Sequence, residues 1–380
     1  MKKLLAMVTV ITITCTVILY TPVAAKGKTK VIDIWPTDDI TNKVLSVGSG
    51  SVILVHTGVY YGKIWIQQKH DITIKAERGT ILDGSFVFNG ATCLWYNGII
   101  LDSSSGITVD GFEIRNFMSS GIILGLADNN LVVNNEISKT DIGISLRGAN
   151  DNSILKNTIT ETNTLGIELG NAGYPSNRNI ITDNELNVPS IGISIWGNDN
   201  QILKNEITTQ YDGILIGSDA ANNIDSTNNL IQRNMVTSTH IYNSAINLGG
   251  AHHNKVIQNE VSDSFYGISI YSGGDDQVLR NDVSNCAYGI FVHQAAGNTL
   301  SQNNISGCGQ GVDMYGAQNN IVSKNKVTDS INYGIAALAS ASENQIENNK
   351  VSGSGDFDLY TNGAPGDNQW KDNKYDTRNW

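Results

Sequence analysis

Arg147 and Glu168 stand 21 residues apart in a chain whose short motifs return about every 22 residues, so they fall on successive turns of a repeat. A guanidinium beside a carboxylate suits β-elimination on an acidic sugar polymer. One group takes the proton next to the substrate carboxylate while a cation neutralises that carboxylate. Arg147 fits either role, and Glu168 with the loop carboxylates Asp219 and Asp225 would then hold Ca2+. A hydrolase would instead ask Glu168 for a second carboxylate within ~5–10 Å, which only Asp219 or Asp225 could supply. The plain alternative is a surface ion pair between adjacent turns, worth ~0–1 kcal/mol.

For these side chains to meet, the chain must stack its turns in register. One half of the repeat reads Gly-Ile-x-Leu, as at Gly143-Ile144-Ser145-Leu146, Gly166-Ile167-Glu168-Leu169 and Gly267-Ile268-Ser269-Ile270. The other half places two Asn five residues apart and then an aliphatic, as in Asn152, Asn157 and Ile159. The second Asn falls at 135, 157, 184, 205, 234, 259, 281, 303, 325, 349 and 373, giving eleven coils with two less regular ones ahead of them. A period this short means one supersecondary unit per repeat. Apolar residues alternate over three or four positions and are often β-branched, which predicts short strands. Asn is the natural corner, because it tolerates the left-handed backbone and its amide can bond along a stack. A leucine-rich horseshoe shares the period but needs a helical half, and here that half is another β segment. The expectation is an all-β, single-domain parallel β-helix of about 12–13 coils, ~22 residues each, over residues 51–375. A lead-in and cap over 26–50 and a tail over 376–380 flank it.

Alternate positions of a strand face opposite sides. With the aliphatics inward, one outward column runs Ile123, Ser145, Glu168, Ser194, Leu215, Asn247, Ser269, Phe291, Asp313, Ala336 and Asp358. A second runs Gly125, Arg147, Gly170, Trp196, Gly217, Gly249, Tyr271, His293, Tyr315, Leu338 and Tyr360. Sugar rings stack on aromatics and their hydroxyls need polar partners, so this strip suits a glycan. Candidate binding residues are Trp196, Tyr174, Asn247, His240, Tyr271, His293, Asp313 and Tyr315. Stacked aromatic columns also stabilise a sheet by themselves, and both readings of Tyr271, His293 and Tyr315 stand.

Loop length locates the functional zone, since long loops on a rigid frame are where binding concentrates. From strand glycine to next corner takes nine residues after Gly143, thirteen after Gly166 and sixteen after Gly213. On the other flank, Asn234 to Ala245 is eleven where eight is usual. The decorated zone is therefore 143–250, with the regular coils beyond 267 as frame. Asp276 sits where other coils have Asn254 and Asn298, as a ladder substitution. His252 and His253 beside Asp275 read as a metal site or as a solvated corner.

Residues 1–25 read as a secretory signal, with Lys2 and Lys3, an apolar run from Leu4 to Tyr20, and Val23-Ala24-Ala25 before cleavage. Removing those two lysines leaves 23 basic against 36 acidic residues, a net charge of −13. Such a surface is a poor partner for nucleic acid, and for a membrane once the signal is cleaved. Cys286 and Cys308 hold the same repeat position on adjacent coils, as a disulfide or as a reduced stack.

Residues 51–66, Ser-Val-Ile-Leu-Val-His-Thr-Gly-Val-Tyr-Tyr-Gly-Lys-Ile-Trp-Ile, lead to Asp71-Ile72-Thr73-Ile74 and then Gly79-Thr80-Ile81-Leu82-Asp83-Gly84. With residues 105–116 this stretch resembles the opening coils of the right-handed β-helix carbohydrate-active families: pectate-lyase-like enzymes, alginate and chondroitin lyases and mannuronan C5-epimerases. The resemblance spans roughly residues 38–375 and implies a right-handed parallel β-helix. The chain lacks the Asp-Pro-His of the epimerases, the Asn-Thr-Asp, Asp-Asp and Gly-His-Gly set of the polygalacturonases, and the Arg-x-Pro-x-x-Arg of the pectate lyases.

The expected function is a secreted, extracellular protein acting on an acidic polysaccharide by lyase-type elimination, with Ca2+ bridging its negative charge to an acidic substrate. Two alternatives stand beside it: a non-catalytic glycan-binding or structural cell-surface β-helix, and a glycoside hydrolase. The sequence leaves the oligomeric state open.

Overall fold

A computed structural model of the chain describes residues 30–88, 91–171, 173–218, 225–363 and 367–380. The expected signal segment, 1–25, lies outside the described residues. Each regular turn carries three short strands. One lies between the two corner Asn (Ser153–Leu155), one follows the second Asn (Thr158 onward), and the third is the Gly-Ile-x-Leu segment. Their inward aliphatics, such as Ile154, Ile159 and Ile167, are fully buried and stack into one continuous core. Apart from an antiparallel hairpin of Ser85–Phe88 with Ala91–Leu94, the strands pair in parallel with their equivalents on the next turn, so the fold is the all-β parallel β-helix the repeat predicts.

Two Asn ladders run along the corners of the stack from Asn130 and Asn135 onward. The backbone N–H and the Nδ2 of Asn135 both donate to Oδ1 of Asn157 at 3.0 Å. Asn157 repeats the pattern to Asn184, at 2.9 and 3.0 Å. The side chain thus satisfies backbone groups that a sharp corner would leave buried and unpaired. The left-handed conformation falls on the residue before the second corner, as at Lys156 (φ 55°) and Arg280 (φ 55°), so these positions carry varied polar residues.

Among the described residues the first sheet has fifteen strands. Eleven belong to the Asn-marked coils, and four precede them where the sequence marks two: Lys30–Ile34, Ser51–Val55, Thr73–Ala76 and Thr108–Asp110. The early strands lack the corner Asn and so escape the motif. His56 ties them together, with its ring nitrogens 3.0 Å from Asp33 and 3.1 Å from Glu77, on the strands to either side. A helix over Ile40–Leu45, capped by Asp39, buries Ile40 and Val44 against the first coils.

The repeat glycine has a steric cause. A Cβ on Gly143 would stand 2.5 Å from the Gly166 carbonyl of the next turn and 2.6 Å from Cγ2 of Ile159. Beside this glycine runs a column of small polar side chains, the buried Ser264, Cys286, Cys308 and Ser330 and the partly exposed Ser354. Cys286 and Cys308 are both free thiols.

Candidate functional site

The outer face of the Gly-Ile-x-Leu strands is read from their registers. Ser145 pairs with Glu168, Glu168 with Ser194, Ser194 with Leu215, and Leu215 with Asn247. The column continues through Ser269, Phe291, Asp313 and Ala336. The neighbouring column brings Tyr271, His293 and Tyr315 onto adjacent rungs. At the last rung Tyr360, not Asp358, stands against Ala336. That turn lacks the Gly-Ile start, and Asp358 folds under it to accept from the backbone of Ser354, Asp376 and Thr377.

The first column faces outward yet is largely covered, with Glu168 8% and Asp313 2% exposed. The cover comes from side chains of the same face lying over it. Glu168 Oε2 accepts from Ser145 Oγ at 2.5 Å, and Arg147 Nε lies 3.3 Å from that hydroxyl and 3.6 Å from the carboxylate. Two rungs from Arg147, Trp196 donates its indole N–H to Ser194 Oγ at 3.1 Å and lays its ring over Gly217, where any Cβ would be crowded. Arg147, Ser145, Glu168, Ser194 and Trp196 are therefore one polar cluster with a cation, a carboxylate and an indole face.

Farther along the same face the cover is aromatic. The Phe291 ring lies 5.0 Å from Tyr266, 5.3 Å from Tyr288, 5.6 Å from Tyr271 and 5.7 Å from His293. His293 stacks on Tyr315 at 5.3 Å and 10°. Two acids flank this platform. Asp313 has a buried Oδ1 without a hydrogen-bond partner, and burial pushes its carboxyl up to about 7. Asp212 accepts from Ser244 N–H at 2.7 Å and from Asn247 Nδ2 at 3.0 Å, and burial still raises it. Burial likewise raises the Tyr271 phenol. The regular coils beyond 267 thus hold the densest aromatic surface of the face. Stacked aromatics three rungs long were legible in the sequence; their junction with Tyr266 and Tyr288 was not, because those residues precede the strand glycine.

The loops divide. Tyr174 closes a two-residue bridge with Asn171 and accepts from Gly148 N–H at 3.2 Å, so the 170–178 loop packs on the corner beside Arg147. Tyr174 itself is 55% exposed. His240 stacks on Tyr211 at 5.2 Å on the opposite flank, away from the cluster of Arg147. Asp225 is exposed and Asp219 lies outside the described residues. A cleft of ≈ 900 Å³ opens ahead of the outer strands, lined by Lys139, Glu161, Asn163, Asn187 and Gln210 among others. Sequence spacing missed these residues. They lie where the twelve-residue strands Glu136–Arg147 and Thr158–Leu169 lose register, between Thr140 and Ile142.

Among the described residues no three of His, Cys, Asp and Glu converge as a metal site. His252 and His253 point apart, with ring centroids 6.4 Å distant, and His253 lies 4.0 Å from Asp275 at an exposed corner.

A family model described as periplasmic copper-binding protein (NosD) matches residues 39–211 and 192–379. The fold is similar to the catalytic unit of a thermostable GH87 alpha-1,3-glucanase from Streptomyces thermodiastaticus, at 14% identity, covering 93% of this chain and 70% of that one, with a TM-score of 0.61. It is similar to PfbA, a surface adhesin of Streptococcus pneumoniae, at 10% identity, 89% and 93% coverage, and a TM-score of 0.55. A variant of the periplasmic alginate epimerase AlgG follows at 13% identity, 90% and 83% coverage, and a TM-score of 0.51. At these identities the likeness is one of fold. A search of curated proteins gives no match.

Proposed function

The chain belongs to the NosD family, described as periplasmic copper-binding proteins, and from that premise we propose that it is an exported β-helix protein that binds an extracellular polysaccharide. The ligand lies along the outer face of the Gly-Ile-x-Leu strands. The observation that carries this reading is the strip from Arg147 and Glu168 through Trp196 and Asn247 to Tyr271, His293 and Tyr315, in register along the stack and interrupted only at the turn of Leu215 and Gly217, which the Trp196 ring overlies. Neighbouring turns are ~4.8 Å apart, so the strip matches a chain-like ligand rather than a single sugar. Its mix of ring faces and amide, hydroxyl and carboxylate groups matches the two sides of a pyranose. The glucanase and the alginate epimerase lend the fold a carbohydrate context. A family described as periplasmic agrees with export, and among the described residues no helix is long and apolar enough to cross a membrane.

A second reading, lyase-type elimination on an acidic glycan, is favoured by the polar cluster. Arg147 would neutralise a uronate carboxylate while Glu168, polarised by Ser145, stands one rung away. With 36 acidic residues on the chain, Ca2+ bridging to an acidic substrate belongs to this reading. Incubation with a panel of acidic and neutral polysaccharides, with and without Ca2+, tests both readings through new double-bond absorbance, reducing ends and retardation in affinity gels. Retardation without product supports binding alone, unsaturated product supports the lyase, and neither effect on any polymer sinks the glycan reading.

The family description also brings copper to this chain. Copper takes imidazole, thiolate and thioether ligands. Five of the six His stand apart from other such groups or are engaged with carboxylates or aromatic rings, and the sixth meets only its neighbour at an exposed corner. The soft donors that stand together are Cys286 and Cys308, on the same position of adjacent turns, each thiol donating to the carbonyl two residues before it. Two thiolates are a donor set for Cu(I) and would hold it without redox chemistry.

A further inference from the structure

We infer that Cys286 and Cys308 form a two-coordinate Cu(I) site inside the β-helix, one sulfur from each of two consecutive turns. This inference rests on the copper part of the reading above and is independent of the glycan part.

The register fixes the pair. Ser284 stands opposite Ser306 two residues before the cysteines, and Tyr288 opposite Gln310 two residues after them. The backbone N–H of Gly309 donates to the Cys286 carbonyl at 2.8 Å, which holds the intervening corner in the same stagger. The two cysteines are therefore one rung apart, ~4.8 Å along the axis. Their side chains adopt equivalent positions. Cys286 Sγ lies 3.2 Å from the Ser284 carbonyl and Cys308 Sγ 3.5 Å from the Ser306 carbonyl. Each sulfur also sits 3.2–3.4 Å from where a Cβ on the preceding turn's glycine, Gly267 or Gly289, would be. The two Cβ–Sγ bonds are thus parallel, with the sulfurs displaced by about one turn.

That spacing separates two fates of a thiol pair. A disulfide needs its sulfurs ~2.05 Å apart with a dihedral near 90°, so one side chain would have to swing away from its carbonyl. Two metal–thiolate bonds of ~2.3 Å end to end span nearly one rung with neither side chain moved. The surroundings favour a soft monovalent ion over a harder one. Cys286 is 3% and Cys308 0% exposed, the rest of the column is Ser, and among the described residues no third His, Cys, Asp or Glu joins them. Loading replaces two S–H bonds with two S–Cu bonds, releases two protons to solvent and leaves the ion as Cu(I), so no oxidant or reductant enters. The closed interior predicts that the ion is taken up as these turns form and is then held with slow exchange.

The test uses the full mature chain, reduced and oxygen-free, with Cu(I) buffered by a chromogenic bathocuproine chelator. One sample receives Cu(I) after folding, and a second refolds from denaturant in its presence. The expected result is one copper per chain after gel filtration in the refolded sample, with sulfur-to-copper absorbance in the near ultraviolet and protection of two thiols from alkylation. Cys286→Ser and Cys308→Ser should each weaken retention at least tenfold. Both variants should fold, because Ser264 and Ser330 occupy the same column on the flanking turns. His252→Ala should retain copper as the parent does. The inference is overturned if neither sample holds more copper than the double Ser variant, if His252→Ala abolishes retention, or if mass spectrometry finds a cystine in the protein taken from its exported location.

Discussion

Asp276 stands in the first Asn ladder directly between Asn254 and Asn298. Its Oδ1 accepts from Asn254 N–H at 2.7 Å and from Asn254 Nδ2 at 3.2 Å, and its own N–H donates to Asn298 Oδ1 at 3.0 Å. Its Oδ2 is buried without a partner. On neighbouring rungs an amide N–H fills that place and donates onward, as Asn298 Nδ2 does to Asn320 at 3.0 Å. A carboxylate there meets an acceptor, whereas a protonated acid can donate as the amide does.

Burial, with the nearby Asp275 and Asp225 adding to it against the Asn254 bonds, raises this carboxyl from 3.8 to about 7. A raised folded value means the native state holds the proton more tightly than the unfolded chain. The contribution is complete below pH 3.8 and is lost as pH climbs to about 7, on the order of 4 kcal/mol at the top of that window. Asp276→Asn should therefore be more stable than the parent at pH 8, with the advantage shrinking toward pH 4. Urea unfolding at both pH values checks this; a variant whose stability runs parallel to the parent's would show that Asp276 is not the titrating group.

Gly289→Ala should destabilise the fold although the glycine lies on a strand of ordinary dihedrals. The added methyl would meet the Gly311 carbonyl at 2.6 Å and Cγ2 of Ile305 at 2.6 Å. Overpacking of this kind costs ~1–3 kcal/mol. Thermal unfolding followed by circular dichroism should give a lower midpoint, and a change within error would mean the turns can separate enough to admit the methyl.

This glycine also shows why the fold was so legible in the chain. Gly, Ile and Asn recur because each turn meets the same steric and hydrogen-bonding demand from the next, and the registers of Ser145, Glu168 and Asn247 follow from counting alone. The depth of the outer column was not legible. Whether Glu168 or Asp313 is exposed depends on where Arg147, Tyr266 and Tyr288 lay their side chains, and strand alternation carries no such information. The cleft beside Lys139 and Glu161 escaped for a similar reason, since it opens where the pairing of two long strands slips by one residue between Thr140 and Ile142, a shift that the spacing of glycines and corner Asn does not display.

Arg147→Ala should leave stability within about 0.5 kcal/mol of the parent, because the Arg147 side chain is 40% exposed and its 3.6 Å contact with Glu168 is screened by water. Glu168→Gln should cost more, since its carboxylate accepts from Ser145 at 2.5 Å with only 11% of its side chain exposed. If the polar cluster acts on a glycan, both changes lower product formation or gel retardation at least tenfold at unchanged fold. A fully active Arg147→Ala protein would remove this cluster from the site.

Tyr315 and Tyr271 separate recognition from packing on the aromatic platform. Tyr315 is 43% exposed and meets its neighbours through one face on His293. Tyr271 is wedged among Tyr266, Phe291 and His293. Aromatic pairs contribute about 0.5–1.5 kcal/mol beyond the area they bury, so Tyr271→Ala should lower stability by more than that, while Tyr315→Ala should be nearly neutral. An exposed ring face is what a sugar would cover. Tyr315→Ala should therefore weaken polysaccharide binding about tenfold, or ~1.4 kcal/mol, with no shift in its melting temperature. Affinity electrophoresis beside thermal melts distinguishes the outcomes. Loss of binding at constant stability assigns the platform to recognition; equal losses of stability in both variants, with binding intact, assign it to holding the sheet.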